Sequence, residues 1–250
     1  IMYRRYYVAV LSIVQTALTF VYELGGYKPA VRPYNLFTDQ LTGIMVLIIA
    51  VVGTLITVYA VGNMLDYHNH HKEYTDRRRF FFAMLYVFLG AMFGLVLSNS
   101  LLWLYFFWEI TSIVSFLLIG YTRTKEAVQN SFRALWMNLL GGLGFAAAIF
   151  WAGVRFGITD LQSLILCDGK LVVAPVILLA FAALTKSAQL PFSRWLLGAM
   201  VAPTPSSALL HSATMVKAGV YLLIRLAPVM YGTYAGSMVS LVGGFTFLIT

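Results

Sequence analysis

Residues 184–226 read LTKSAQLPFSRWLLGAMVAPTPSSALLHSATMVKAGVYLLIRL, and the fold is decided there. The stretch is apolar enough to lie in a bilayer. It nevertheless carries Lys186, His211 and Lys217 and is interrupted by Pro191, Pro203 and Pro205. An ionisable group at bilayer depth costs ~3 kcal/mol on insertion scales, and such groups usually mark an ion path. Proline has no amide hydrogen, so Pro191 deprives the Ser187 carbonyl of its helical partner. The helix is expected to end or distort just past Lys186, with the freed groups met by side chains or water.

The surroundings have the same character. Of 250 residues, 60% are hydrophobic and 10% charged, where a soluble domain carries about 25% charged residues. Runs without Asp, Glu, Lys or Arg cover 40–61, 134–154, 195–216 and 226–250, and Glu109 is the one such residue in 80–122. Each run suffices, or nearly so, for a helix to cross ~30 Å of hydrocarbon. The expected fold is an all-α, polytopic bundle of about eight spans: 6–22, 39–61, 80–98, 101–121, 131–153, 171–191, 205–226 and one from 235. The most polar loop is expected at 62–79, and a short interfacial helix at 159–166. The whole of 1–250 reads as one transmembrane domain. Ile1 in place of Met, and the apolar run in progress at Thr250, are expected of a piece of a longer chain. No small-residue cleavage site follows Arg4 and Arg5, so no signal peptide is read.

The net charge of +8 is explained by loops rather than by nucleic acid. Arg4, Arg5, Lys72, Arg77, Arg78, Arg79, Arg123, Lys125, Arg133 and Arg194 fall on one side of the expected topology. Lys28, Arg32, Arg155, Lys170 and Arg225 fall on the other. Ten against five places the first side in the cytoplasm. The single cysteine, Cys167, excludes an internal disulfide. His68, His70 and His71 have loose metal-ligand spacing but read as a solvated loop. There is no phosphate loop, Ser/His/Asp set or CxxC pair, and neither a cofactor nor a metal is expected.

Glu109 lies near the middle of LLWLYFFWEITSIVSFLLIGY (101–121), too deep to reach water easily. It reads as a proton carrier or the partner of a buried lysine; the plainer reading is a structural ion pair or a packing residue. Lys186 has the same two readings, translocation or a lysine snorkelling from a helix end. Burial disfavours a charged lysine and a nearby carboxylate favours it, so a lysine whose partner moves can take up and release a proton. His211 suits proton relay, because unperturbed histidine titrates near neutrality, and equally suits a hydrogen-bonded packing role. On a regular helix Lys217 stands about 120° round and ~9 Å along from it, with Ser212 and Thr214 as linking hydroxyls. A hydrated path Glu109–Lys186–His211 is expected, with Lys217 further along. Glu109 and Lys186 should lie within interaction distance.

Three segments then carry a resemblance. FFWEITSIVSFLLIGY, LTKSAQLPFSRWLLGAM and APTPSSALLHSATMVKAGVYLLIRLAP resemble the antiporter-like subunits shared by respiratory complex I and Mrp-type cation/proton antiporters. The likeness runs over about 36–230. It is closest to the large A subunit of Mrp antiporters, where HSATMVKAG (211–219) and Gly141-Gly142 fit better than in complex I. The resemblance implies a fold of about fourteen helices in two inverted repeats, each built round a broken helix, with the first repeat here at about 80–226. It implies that Glu109 pairs with Lys186, that His211 continues a proton path, and that Asp39 is an acidic position at the start of a span. It also implies a cell-membrane location and other integral membrane subunits as partners, with protons and sodium as the ions. The alternative is a proton-pumping subunit of a complex I-like or hydrogenase complex. A third reading is a purely structural membrane subunit. Where the family commonly has Pro-Asp-Ala-Met after the broken helix, this chain has Leu197-Gly198-Ala199-Met200, so a role for an acid there is not expected.

Overall fold

The structure, a computed structural model, describes residues 6–25 and 34–249. Arg4, Arg5, Lys28, Arg32 and the side chain of Ser212, all named above, lie outside the described residues. Hydrocarbon offers no partner for a free amide or carbonyl, so a spanning chain must satisfy its backbone internally. Accordingly the described residues form helices, with only two isolated antiparallel bridges, Leu36 with Ser98 and Ser100 with Asp160.

The helices are α1 (Tyr6–Leu24), α2 (Gln40–His70), α3 (Arg78–Leu97), α4 (Leu101–Ile119), α5 (Lys125–Phe156), α6 (Leu161–Leu166), α7 (Val173–Lys186), α8 (Arg194–Gly198), α9 (Thr204–Ala208), α10 (Met215–Met230) and α11 (Tyr234–Ile249). Among the described residues, five of these (α1 to α5) and the segment Thr204–Met230 are long and apolar enough to cross a membrane. Val173–Lys186 and Tyr234–Ile249 are shorter apolar helices. An apolar helix or helical segment thus stands at each of the eight expected positions, six of them long enough to span, and the short helix expected at 159–166 is α6.

Polar caps set several boundaries. Asp39 Oδ1 accepts the Thr42 amide at 2.8 Å, Thr124 Oγ1 accepts Ala127 at 3.2 Å and Asp160 Oδ2 accepts Ser163 at 2.8 Å. Each takes up an amide that has no partner in the first helical turn. Gly157, at φ 67°, ends α5 in the left-handed conformation that glycine adopts without strain.

Two expectations are corrected. Residues 62–70 are not loop: α2 continues to His70. Hydropathy marks the thickness of the bilayer, whereas a helix stops where its backbone bonding stops, and Asp66, His68 and His70 are tolerated on a helix that has left the hydrocarbon. There His68 Nε2 meets Tyr121 Oη at 2.8 Å, and His70 meets the Asp66 carbonyl. Secondly, 205–226 is not one regular helix. Leu209–Ala213 form a π-helical turn, closed by the Thr214 amide and hydroxyl on the Leu209 carbonyl at 3.2 and 2.8 Å.

The loops fall on two faces. On one, Asn99 ties three segments together: its amide nitrogen bonds the Asn35 carbonyl, its side chain bonds the Tyr34 carbonyl and the Gln162 amide, and its carbonyl accepts Leu161. On the other, Arg133 and Arg194 line one groove with Glu126 and Asn130, and Arg77 to Arg79 line another with Asp76.

α5 is the centre of the bundle, packed against α1, α4 and α7. Missing side chains allow this. A Cβ on Gly141 would overlap the Thr185 hydroxyl of α7, and one on Gly144 would stand 3.0 Å from the Phe181 ring. α1 runs parallel to α5, with Tyr7 edge-on to Trp136, Gln15 bonded to the Leu139 carbonyl and Tyr22 lying over Gly153.

Candidate functional site

The site is built round the end of α7. Lys186 is its last residue, and Ser187 to Ser193 form a non-helical link to α8. Ala188 takes a positive φ of 55°, and the Leu190–Pro191 peptide is cis. The break expected from Pro191 is present, since α7 ends at Lys186 and helix resumes only at Arg194. Side chains and turn amides satisfy the carbonyls it frees. Thr185 O accepts the Trp195 indole N–H at 2.9 Å and the Ala188 amide. Leu184 O accepts Gln189 N at 3.0 Å. Ser187 O accepts the Gln189 side-chain amide at 3.3 Å. This is the accounting that hydrocarbon demands.

Lys186 is fully buried. Its ammonium donates to the Trp108 carbonyl at 2.9 Å and to Ser112 Oγ at 2.8 Å, and stands 4.9 Å from the centre of the Trp108 ring. None of these partners carries a charge. Ser112 Oγ in turn bonds the Trp108 carbonyl at 3.1 Å. Lys186 thus reaches the turn of α4 that carries Glu109, yet the two form no direct ion pair.

The Glu109 carboxylate faces α5 instead. Its buried Oε1 has no hydrogen-bond partner. It lies over Gly142, where an added Cβ would overlap it. The two adjacent glycines of α5 therefore serve opposite neighbours: Gly141 admits Thr185, next to Lys186, and Gly142 admits the Glu109 carboxylate. Gln15, which sequence reasoning misses, is buried at the same place. Its one signal is that it is the single amide side chain of α1, in a run from Tyr6 to Tyr22 that is otherwise apolar or hydroxylic.

His211 sits in the π-turn, half-buried, with Nε2 buried and unpartnered. Lys217 is half-buried on α10. The π-turn removes the basis for a simple helical projection of one onto the other. Neither makes a polar contact with Glu109 or Lys186 among the described residues. What joins α10 to the break is its backbone. A Cβ on Gly219 would overlap the Ala183 carbonyl and stand 2.8 Å from the Ser187 amide.

A second polar centre lies at the far end of α10. Arg225 grips Asp39 with both terminal nitrogens, at 2.5 and 2.7 Å, and also bonds Thr42 Oγ1 and Tyr221 Oη. Tyr221 passes the linkage to the Val96 carbonyl at 2.8 Å. The guanidinium holds the Asp39 carboxyl down at about 2, well below the usual carboxylate range.

A polytopic helical bundle, with a lysine buried at a helix break and a carboxylate one residue from that lysine's acceptor, defines a class of multi-pass membrane protein that keeps ionisable groups inside its bundle. Residues 98–250 match the profile of the family described as NADH:quinone oxidoreductase/Mrp antiporter, TM, and 32–81 match NADH-Ubiquinone oxidoreductase (complex I), chain 5 N-terminus. The chain belongs to this antiporter-like family. It is 38% identical over 97% of its length to the A/B subunit of a probable K(+)/H(+) antiporter of Rhizobium meliloti, of which it covers 24%. It is 35% identical over 91% of its length to the A subunit of the Na(+)/H(+) antiporter of Alkalihalophilus pseudofirmus, covering 28%. The chain thus spans about a quarter of the length of these curated relatives. The Mrp complex from Dietzia sp. contains a chain superposing with a TM-score of 0.70 at 27% identity, over 93% of this chain and 26% of that one. The membrane-bound sulfane sulfur reductase, an archaeal respiratory membrane complex, shares the fold at a TM-score of 0.71 and 20% identity, over 94% of this chain and 50% of that one.

Proposed function

We propose that the chain is part of the ion-translocating A subunit of an Mrp-type antiporter, working with other integral membrane subunits in a cell membrane. The relatives' names carry sodium and potassium, so the exchange is of one of these for protons. In this reading 80–226 forms the first of two inverted repeats. Arg77 to Arg79 face the cytoplasm, and protons pass by way of Glu109, Lys186 and His211, with Lys217 further along.

The observation that carries the reading is the position of Lys186. It is wholly buried at a helix break, and its ammonium is held by a carbonyl, a hydroxyl and a ring face. A structural lysine of that depth would be expected to have a counter-charge in contact, because an unpaired buried charge is costly. A translocating lysine must instead be able to exist with and without its proton, and neutral acceptors allow both.

The test is Lys186→Met in the full-length chain within its complex, assayed in everted vesicles. Methionine keeps much of the bulk and removes the charge. Cation/proton exchange should be lost with assembly retained. Normal exchange by the assembled variant would leave Lys186 a structural residue.

A further inference from the structure

The unpartnered Oε1 of Glu109 points to a residue outside the path described above. Gln15 is 4% exposed, on a helix whose other face is turned outward. Its Nε2 donates one hydrogen to the Leu139 carbonyl at 2.5 Å. A primary amide has two. A Cβ placed on Gly142 would stand 2.5 Å from this same nitrogen and would overlap Glu109 Oε1 as well. The amide nitrogen and the carboxylate oxygen therefore share one glycine notch in α5. Lys186 is meanwhile engaged with the Trp108 carbonyl and Ser112.

We propose that Gln15 is a positioning residue for Glu109. Its second N–H takes the carboxylate on the α1–α5 side, while Lys186 takes it on the α7 side. Glu109 then has two alternative resting places, one neutral and one charged, and moves between them as Lys186 gains or loses its proton. Gln15 suits the neutral post: an amide can donate to the carboxylate in either protonation state and can never compete with it for a proton. α1 thereby becomes part of the translocation site rather than a lipid-facing strut. The inference rests on the proton-path reading and adds to it a residue and a second resting place.

The experiment is infrared difference spectroscopy, acidic minus alkaline, on the assembled complex with the full-length chain. The Glu109 carboxyl C=O band is the one that vanishes in Glu109→Gln. In Gln15→Leu that band should move to higher wavenumber, because its carbonyl has lost a donor, and exchange should slow several-fold. Gln15→Met, which keeps the length without the N–H, should do the same and serves where Gln15→Leu fails to assemble. A band that stays in place overturns the proposal, even if exchange slows, since Gln15 would then only pin α1 to Leu139. A wild-type spectrum with no Glu109 band overturns the proton-path reading together with it.

Discussion

Lys186 donates to the main-chain carbonyl of Trp108, the residue just before Glu109, rather than to Glu109 itself. The contact is fixed by backbone geometry and by Ser112, which accepts from Lys186 while bonding the same carbonyl. A carbonyl cannot leave its helix, so this end of the contact is permanent. In the proposed cycle the carboxylate, aimed at Gly142, is the partner that moves.

Ser112 is therefore expected to tune how firmly the ammonium rests here. Ser112→Ala removes one of two hydrogen-bond acceptors, an interaction worth on the order of 2 kcal/mol when the donor is charged. Exchange in everted vesicles should slow about tenfold, the kinetic equivalent of ~1.4 kcal/mol. Ser112→Thr keeps the hydroxyl and should retain most of the rate. Equal rates for Ser112→Ala and wild type would mean that the hydroxyl plays no part.

The two glycines of α5 should fail in different ways. In Gly142→Ala the new methyl takes the place of the Glu109 carboxylate, which can swing aside because it is a side chain. The complex should assemble and exchange should fall by tenfold or more. In Gly141→Ala the methyl overlaps the Thr185 hydroxyl and stands 3.0 Å from the Thr185 Cβ, which moves only with its backbone, so α7 must retreat from α5. Overpacking of this kind costs ~1–3 kcal/mol, and the lower thermal midpoint of the complex should report it. Full exchange in Gly142→Ala would remove the functional reading of the notch.

The spans, the break after Lys186 and the depth of Glu109 could be read from the sequence because each depends on composition within one segment. Charge is scarce in hydrocarbon, and proline cannot continue a helix wherever the rest of the chain lies. The extension of α2 to His70 escaped because hydropathy reports the bilayer and not the helix. The π-turn at His211 escaped because it depends on whether the Thr214 hydroxyl and amide close on Leu209, which no periodicity reveals. Gln15 and the Asp39–Arg225 pair escaped for a third reason. Their partners are 124 and 186 residues away, and single-chain spacing says nothing about contacts at that separation. Gly141-Gly142 was visible as a motif, but that its two halves serve different helices was not.

The orientation is tested at Thr75, which is exposed in the turn between α2 and α3 beside Arg77 to Arg79. Loops rich in Lys and Arg are retained in the cytoplasm. A cysteine introduced by Thr75→Cys should react with an impermeant maleimide in everted vesicles and be protected in intact cells. Reaction in intact cells alone would invert the topology.

The last prediction concerns pH and the clamp between α2 and α10. Arg225 holds the Asp39 carboxyl at about 2, against about 3.9 for a free aspartate. A carboxylate whose folded value is depressed binds its proton more readily in the unfolded chain. It therefore adds stability that is complete above about pH 4 and is lost as pH falls through about 2. The full shift would correspond to about 2.6 kcal/mol at ~1.4 kcal/mol per unit. The Asp39 side chain is 37% exposed, however, and solvent screening reduces the expected value to about 1 kcal/mol. Asp39→Asn isolates this contribution, because asparagine caps a helix as well as aspartate does and should keep the bond to the Thr42 amide. Thermal unfolding of the complex, followed by tryptophan fluorescence, should show Asp39→Asn less stable by about that amount near neutrality. The gap should narrow as pH falls from about 4 toward 2. A gap of constant size across that range would assign the cost to altered packing at the cap. No gap at all would mean that Arg225 finds equal support in Thr42, Tyr221 and the Phe37 ring, whose centre lies 5.0 Å from its guanidinium carbon.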